Sequence, residues 1–530
     1  MNDKRKTEKG IINGAFSLTV SVILVKLLGL IYKVPLSYIL TDEGMGYFNT
    51  AYTVFSLFYI ICTTGVPKAI SILVSEADSE GSTEKVAQIY ATAFKMFFLF
   101  GFIISTLFFV LSAPISILIG NRGSYYSMLL IAPSILFVCA SGIIRGYFNG
   151  HLKFFSIAVA EIISGASKLI LGLALAYLAK FLGYGFEVIS AFTILGTTLG
   201  SFFGFAYLYF KKQTFSTIKT KQKNLFSPKL AKKILKIAIP LTATSAIGSV
   251  SNIIDLTIIM KRLRVSGNSE LQAAILYGNY TTLAIPMLNL VATLIAPLSA
   301  VLLPIVSKQK NAKEVRQLTE QVSWAFKVIL FICMPISILF LFKSAEILSL
   351  IFENSSAVMA APLLSLIAPG IIFMSLLTAA NSVLEGLGNT KAPMIALISA
   401  SLVKIIVSYV LIGRAEFGLL GASIGTTVSY FIGMCISLYS LTVKHKIKPQ
   451  ILKDLFIFLS GALISLGISD WFFKLLGSGG SISVIIGVSI FGLLYVIFLM
   501  ILGIFGIKNL NFMSKLYSSS CTSKIYRGCS

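Results

Sequence analysis

The sequence predicts an all-α polytopic membrane protein with fourteen transmembrane helices. Two parallel-repeat six-helix lobes are followed by two extra C-terminal helices, and both termini are cytoplasmic (N-in/C-in). Three observations predict this fold class. The composition is too apolar for a water-soluble protein, the basic residues collect in alternate loops, and short motifs recur at a nearly constant offset between the two halves of the chain.

The composition places the chain in a bilayer. Of its 530 residues, 56% are hydrophobic and only 12% are charged, and the mean hydropathy is +0.90. Soluble proteins are about 45–50% apolar and about 25% charged. A chain of this composition cannot hide its apolar surface in water, so we expect lipid to surround it.

Fourteen stretches are apolar and long enough to cross a membrane, which takes about 20 residues per helix. The first follows a basic N-terminus without a signal-peptide cleavage site, so we interpret it as a retained span. The predicted spans cover residues 11–38, 47–74, 89–118, 126–147, 155–180, 186–210, 233–260, 274–304, 321–342, 361–384, 393–413, 418–442, 452–475 and 481–506.

The loop charges predict the orientation. The net charge is +24, and the loop 211–236 carries nine lysines and no acid, while 307–320 carries four basic residues. Cytoplasmic loops of membrane proteins are enriched in Lys and Arg, so these loops indicate cytoplasmic termini. Lys261, Arg262 and Arg264 fall on the predicted outer side, which orientation alone does not explain. No basic and aromatic groove suggests a nucleic-acid partner.

The two halves of the chain repeat each other. GTTLGSFFG at 196–204 and GTTVSYFIG at 425–433 share their Gly-Thr-Thr start and their closing glycine, and both place small residues at every fourth position. This spacing allows close helix packing. Parallel repeats about an axis normal to the membrane are a transporter architecture, in which the substrate binds between the halves.

The repeat and the loops together predict the domain organisation. The predicted units are an N-terminal six-helix lobe at 1–210, a cytoplasmic Lys-rich linker at 211–232, a C-terminal six-helix lobe at 233–442, helices 13–14 at 443–507 and a cytoplasmic tail at 508–530.

Charged residues inside the apolar stretches are the candidate functional residues. A charge at the centre of a lipid-facing helix costs at least about 2.5–3.5 kcal/mol, so such residues tend to face protein or a wet cavity. Lys26 and Lys33 are seven residues apart and share one helix face. The candidate residues for binding an anionic head group are Lys26, Lys33, Arg145, Lys168 and Lys404.

Few acids oppose these bases. Glu161 and Asp255 can neutralise two of them, and the remaining positive charge suggests a cavity for an anion, with phosphate as the natural candidate. For Glu161 and Asp255 themselves, a structural salt bridge and a role in ion coupling both stay open. We expect no metal and no cofactor, because the only histidines, His151 and His445, lie in loops and form no cluster.

The cysteines form no motif. Cys62, Cys139, Cys333 and Cys435 lie in apolar runs, where we expect buried thiols. Two further cysteines, Cys521 and Cys529, lie in the polar tail and suggest no role.

Several motifs resemble a known family. They are LLGLIYKVPLS (27–37), DEGMGYF (42–48), GVPKAISILVSEA (65–77), RGYFNG (145–150), NSVLEGLGNTKAP (381–393) and SLVKII (401–406). This set resembles the stage V sporulation protein B and MurJ-type lipid II flippase branch of the multidrug/oligosaccharidyl-lipid/polysaccharide (MOP) exporter superfamily. The resemblance is clearest over spans one to five.

The resemblance implies a fourteen-helix, two-lobed flippase of the bacterial cytoplasmic membrane. Such proteins turn undecaprenyl-diphosphate-linked saccharides, precursors of peptidoglycan or polysaccharide, to the outer leaflet by alternating access. Lys26 and Lys168 occupy positions of family arginines in spans one and five, and Arg145 matches directly. The family glutamate before the span-five base appears here as Ser164, and the span-two basic pair is not evident.

The leading functional prediction is therefore a flippase and not an enzyme. Its expected partners are a lipid-linked anionic glycan and membrane lipids, and the expected state is a monomer. The alternatives are a MATE-like cation or drug antiporter, which would need buried carboxylates for its cations, and a membrane-embedded glycan enzyme. The enzyme would need catalytic acids, bases or a metal site, for which the sequence offers no motif. A scaffold without transport activity also stays open.

Overall fold

The computed structural model describes residues 2–215, 226–308, 315–352, 354–475 and 481–501, and every regular element in these ranges is helical. The helices are α1 (Asn2–Thr63), α2 (Gly65–Ser79), α3 (Thr83–Ile119), α4 (Tyr125–Gly150), α5 (Phe154–Phe181), α6 (Phe186–Phe215), α7 (Pro228–Val265), α8 (Glu270–Asn279), α9 (Ile285–Lys308), α10 (Val315–Phe342), α11 (Ser344–Ser349), α12 (Asn354–Gly386), α13 (Lys391–Ile412), α14 (Leu420–Tyr439), α15 (Ile451–Leu475) and α16 (Ser481–Ile501). A π-turn, Tyr280–Ala284, joins α8 to α9.

Helix α1 is interrupted once along its length. It has 62 residues, and an unbroken helix of that size would measure about 93 Å, roughly three bilayer cores. Thr41 breaks it with φ 56, a left-handed value that is rare for a residue other than glycine. The predicted spans 11–38 and 47–74 lie on either side of this break.

The helices identify a multi-pass cell-membrane protein. In the described ranges, eleven helical stretches are long and apolar enough to cross a bilayer. A twelfth is added when Pro228–Ala243 and Ser245–Val265, which meet at 46°, are taken as one bent span. Many large apolar side chains on these helices are exposed, as lipid contact requires.

The repeated glycine motifs bring helices together in both halves. A side chain at Gly196 of α6 would collide with the backbone of Gly172 in α5 and would meet the carbonyl of Lys168. In the second half, a side chain at Gly425 of α14 would collide with Ser408 in α13 and would meet the carbonyl of Lys404. The small residues therefore let α6 approach α5, and α14 approach α13, at matching points.

The last two helices pack on the outside of the second half. Helix α15 contacts α10 and α16, and Tyr495 of α16 stacks on Phe331 of α10 with ring centroids 5.8 Å apart. Lys343, the residue after the C-terminal end of α10, forms an ion pair of 2.9 Å with Asp470 of α15. Aromatic packing, this ion pair and a hydrogen bond from the Tyr495 hydroxyl to the Phe331 carbonyl all help to hold α15 and α16 against α10.

The cysteines correct two expectations. Cys62 of α1 and Cys139 of α4 are joined in a disulfide with their Cα atoms 4.8 Å apart, instead of remaining thiols. Apolar surroundings had indicated burial but not this pairing, since the contact depends on how α1 meets α4. Cys435 is exposed because its side of α14 is not covered by protein, whereas Cys333 is a buried thiol as expected.

Candidate functional site

Lys33 reaches from the first half of the chain to the second. It lies in α1, eight residues before the break at Thr41, and its side chain is partly buried. Its ammonium donates a hydrogen bond of 3.1 Å to the carbonyl oxygen of Thr281, in the π-turn. π-turns depart from the regular helical hydrogen-bond pattern and are frequent at functional sites. A neutral carbonyl satisfies one donor of Lys33 and leaves its charge uncompensated.

Lys168 lies over an aromatic surface. Its ammonium is 4.4 Å from the ring centroid of Tyr52 and 5.5 Å from that of Tyr32, both on α1. Aromatic faces attract cations without cancelling their charge. Across the described residues, no carboxylate oxygen lies within 4.0 Å of Lys168 or Lys33.

Lys33 and Lys168 thus form one electropositive site. Tyr32, whose ring lies 5.5 Å from the Lys168 ammonium, precedes Lys33 in α1, so the two like charges share a neighbourhood and repel each other. The rings of Tyr32 and Tyr52 contact Lys168, and the π-turn contacts Lys33. An anion between the two lysines would relieve the repulsion and accept charge-assisted hydrogen bonds. We refer to Lys33, Lys168, Tyr32 and Tyr52 as the dilysine site.

Lys404 has a different environment. It lies in α13, and its ammonium binds Oδ2 of Asp255 in α7 at 2.8 Å. Both side chains are largely buried, with 16% and 7% of their surfaces exposed. The other oxygen of Asp255, Oδ1, is buried and has no hydrogen-bond partner among the described atoms. The structure therefore does not bring Lys404 to the dilysine site as a free cation.

Arg145 is also paired. Its guanidinium in α4 forms a close ion pair with Glu161 of α5, and both side chains are mostly buried. Two of the five predicted basic residues are thus matched by the two predicted acids. Lys26 lies in α1, but its side chain falls outside the described part of the structure.

Sequence reasoning missed the aromatic surface and the π-turn. Tyr32 precedes Lys33 in the chain, which offered a local signal for a ring beside a cation. No comparable signal connected Tyr52 with Lys168 or Lys33 with Thr281, because these contacts join residues more than 100 positions apart. Across the described residues, His, Cys, Asp and Glu side chains form no group of three that could hold a metal.

A set of hydrogen bonds joins the part of α1 that follows Thr41 to α8, the π-turn and α12. Asp42 accepts hydrogen bonds from Ser356 Oγ (2.8 Å to Oδ1) and Asn279 Nδ2 (3.2 Å to Oδ2). Asn49 donates to Thr282 Oγ1 at 2.7 Å, and the hydroxyls of Thr53 and Tyr277 are 3.0 Å apart. Residues 42–53 of α1 and 270–284 of α8 and the π-turn form what we call the α1–α8 closure.

Sequence comparisons relate the chain to transporters. Residues 11–310 match the family described as "Polysaccharide biosynthesis protein", and residues 280–410 match the MatE family. "Stage V sporulation protein B" of Bacillus subtilis (strain 168) is 24% identical over 448 residues, 83% of this chain and 85% of that protein. "Lipid II flippase MurJ" of the same organism is 22% identical over 448 residues, 80% and 81% of the two chains.

Solved structures show the same fold. The structure titled "Lipid II flippase MurJ, inward closed conformation" aligns with a TM-score of 0.72 at 21% identity, over 92% of this chain and 98% of that one. An inward-facing multidrug resistance MATE family transporter of the MOP superfamily aligns with a TM-score of 0.66 at 12% identity, over 82% and 98%.

These relatives are flippases and transporters, not enzymes, and they support a transporter of the MOP superfamily. The first family match covers more than half of the chain. The protein therefore belongs to the polysaccharide biosynthesis protein family, within the MOP superfamily.

Proposed function

We propose that this protein is a flippase that translocates an undecaprenyl-diphosphate-linked saccharide across the cytoplasmic membrane by alternating access. The observation that carries the proposal is the dilysine site, where two ammonium groups have no carboxylate partner among the described residues. One of them, Lys33, reaches from the first half of the chain to Thr281 in the second. The charge, the position and the similarity to a lipid II flippase all favour a lipid-linked anion.

The chemistry of the site suits a diphosphate. Lys33 and Lys168 each offer several N–H donors to phosphate oxygens, and hydrogen bonds between two charged groups are about twice as strong as neutral ones. Lysine acts as a point charge and does not form arginine's bidentate contact, so we expect less geometric discrimination among phosphate-containing head groups. Lys26 is proposed to add a third cation, whereas Arg145 and Lys404 act through their ion pairs.

The proposed topology has fourteen spans with both termini in the cytoplasm. Helix α1 supplies two of them, one on each side of Thr41, and α8, the π-turn and α9 together supply one. The proposed lobes are 1–210 and 233–442, joined by the linker 211–232 and followed by helices 13–14 at 443–507 and the tail at 508–530. We propose that the transporter works as a monomer.

A MATE-like cation antiporter is the second candidate function. The match of residues 280–410 to the MatE family and the unpartnered Oδ1 of Asp255 favour it. A cation would have to displace Lys404 from Asp255, or Arg145 from Glu161, before either acid could bind it. The existing pairs therefore weigh against cation transport and leave ion coupling at these acids as a secondary proposal.

Translocation by purified protein tests the main proposal. Proteoliposomes would contain a fluorescent undecaprenyl-diphosphate saccharide, and its arrival in the opposite leaflet would be followed by quenching from outside. We expect transport by the natural protein and its loss in the double variant Lys33→Met, Lys168→Met. Lys391→Met, which removes an exposed lysine at the start of α13, is the matched control and should transport normally. Undiminished transport by the double variant would contradict the proposal.

A further inference from the structure

We propose that Lys33 couples occupancy of the dilysine site to opening of the α1–α8 closure. This inference rests on the proposed function. When the site is empty, the Lys33 ammonium binds the Thr281 carbonyl and helps to hold the two halves together. When an anionic lipid head group binds, the ammonium turns to the phosphate, and that contact across the closure is lost.

The position of Lys33 supports the coupling. The α1–α8 closure includes the Asn49–Thr282 and Thr53–Tyr277 hydrogen bonds, both between uncharged side chains. The closure is tight, because a side chain at Gly46 would collide with the backbone of Ala274. Of the hydrogen bonds that join α1 to residues 270–284 in the described part of the chain, the one from Lys33 alone comes from a residue of the dilysine site. Binding at the site can therefore act on the closure directly through this side chain.

The charges give the direction of the effect. With the site empty, the Lys33 ammonium donates to the Thr281 carbonyl, and the like-charged Lys168 offers it no competing acceptor. A bound diphosphate reverses this preference, because a doubly charged group between the two lysines attracts both ammonium groups. A phosphate oxygen is also a stronger acceptor than a neutral carbonyl. A ligand shifts a conformational equilibrium only by such a difference in interaction between the two states.

The mechanism has a consequence for transport. An empty protein stays closed at the α1–α8 closure, and a loaded protein opens there. Opening then depends on an anionic head group, so neutral lipids and drugs do not trigger it. The π-turn matters because its carbonyl at Thr281 is the acceptor from which Lys33 is released.

Hydrogen exchange of the full chain in nanodiscs tests the coupling, with undecaprenyl diphosphate as the probe. Exchange is read in peptides covering 42–53 and 270–284, where loss of closure contacts exposes backbone amides. For the natural protein we expect the lipid to raise exchange about tenfold, the effect of losing one charge-assisted hydrogen bond. Lys33→Met should show raised exchange without lipid and no further rise with it.

Lys168→Met is the matched control. It removes the other cation of the site together with its contact to the Tyr52 ring, but it leaves the Lys33–Thr281 hydrogen bond in place. Exchange in 270–284 without lipid should therefore stay low while the response to lipid disappears. Binding of undecaprenyl diphosphate is measured on the same nanodiscs by native mass spectrometry. If the natural protein binds the lipid but exchange in both segments is unchanged, the coupling is wrong and the proposed function stands. If it does not bind the lipid, both proposals fail.

The test does not depend on whether Lys33→Met folds. The binding and hydrogen exchange of the natural protein alone show whether the coupling, or both proposals, fail. Lys33→Arg provides a second variant, which keeps the positive charge and should keep both the low exchange without lipid and the response to it. Low exchange in folded Lys33→Met, together with a normal response to lipid, would overturn the coupling.

Discussion

Lys168 in α5 and Lys404 in α13 occupy equivalent places in the two halves of the chain but have opposite surroundings. In each half, a glycine of the repeated motif lies against the lysine's own carbonyl. Lys168 faces the rings of Tyr32 and Tyr52, whereas Lys404 binds Asp255. The neighbours of a buried lysine, and not its place in the repeat, therefore decide whether its charge is available to a ligand.

The first helices of the two halves differ in charge at one matching sequence position. The offset that relates Gly196 to Gly425 also relates Lys26 of α1 to Asp255 of α7. Helix α1 packs against α5, and α7 packs against α13. At this offset, the sequence of the first half has a base where that of the second half has an acid. We propose that this single exchange of sign left an anion site in one half and a closed ion pair in the other.

The largest expected effect is on stability and belongs to the second half. Asp255→Asn leaves the buried Lys404 ammonium without its partner, and breaking one side of a buried pair costs about 3–5 kcal/mol. Thermal unfolding in detergent should show a large loss of stability. The double variant Asp255→Asn, Lys404→Met should recover much of it, because it removes the orphaned charge.

Lys168→Met is the matched control for this experiment. It removes a lysine that has no carboxylate partner among the described residues, so its stability should stay close to that of the natural protein. If Asp255→Asn and Lys168→Met were equally stable, the two lysines would not differ in the way that their surroundings indicate.

The next effect is on binding and belongs to the first half. Lys168→Met removes one charge-assisted contact, worth about 1.5–3 kcal/mol, so affinity for undecaprenyl diphosphate should fall about 10- to 100-fold. Lys168→Arg keeps the charge and should lose much less. Folded Lys404→Met should bind the lipid as the natural protein does, and a comparable loss there would make Lys404 part of the anion site.

The sequence predicts where the helices lie along the chain, but it does not predict which helices and side chains contact each other. The predicted spans 126–147 and 155–180 coincide with α4 and α5 within a few residues, because the length of an apolar run determines where a helix can lie in a bilayer. The sequence predicts an interruption between spans 11–38 and 47–74, where Thr41 lies, but not the left-handed conformation of Thr41, since a left-handed threonine has no local sequence signal.

For the site, the sequence identified the charges but not their pairing. Glu161 and Asp255 were expected to neutralise two bases, and the structure pairs them with Arg145 and Lys404. Lys404 and Asp255 are 149 positions apart, and hydropathy contains no information on which distant helices touch. Lys33 and Lys168 stand out only after these pairs are assigned.

Reversing the charge of residue 26 in α1 tests why Lys168 and Lys404 have different surroundings. Lys26→Asp would give the first half the acid that the second half has, and we expect it to pair with Lys168 and neutralise it. Compared with Lys26→Asn, affinity for undecaprenyl diphosphate should then be about tenfold lower, since the charge-assisted contact of Lys168 is lost as well. Lys26→Asn is the control that removes the base without adding an acid, and it should bind more tightly than Lys26→Asp. Equal affinities would refute the proposed register between Lys26 and Asp255.

The smallest expected effect concerns the aromatic surface that replaces a carboxylate in the first half. Tyr52→Leu removes the ring nearest Lys168, and a cation–π contact at a partly exposed site is worth about 0.5–1 kcal/mol. Affinity for undecaprenyl diphosphate should fall about two- to fivefold because the ammonium is less well positioned. Tyr52→Phe keeps the ring and should bind as the natural protein does. If Tyr52→Phe lost as much affinity as Tyr52→Leu, the hydroxyl would be the important group. The surface would then act as a hydrogen-bond partner of the ligand, and Lys168 would no longer contrast with Lys404 through its ring contacts.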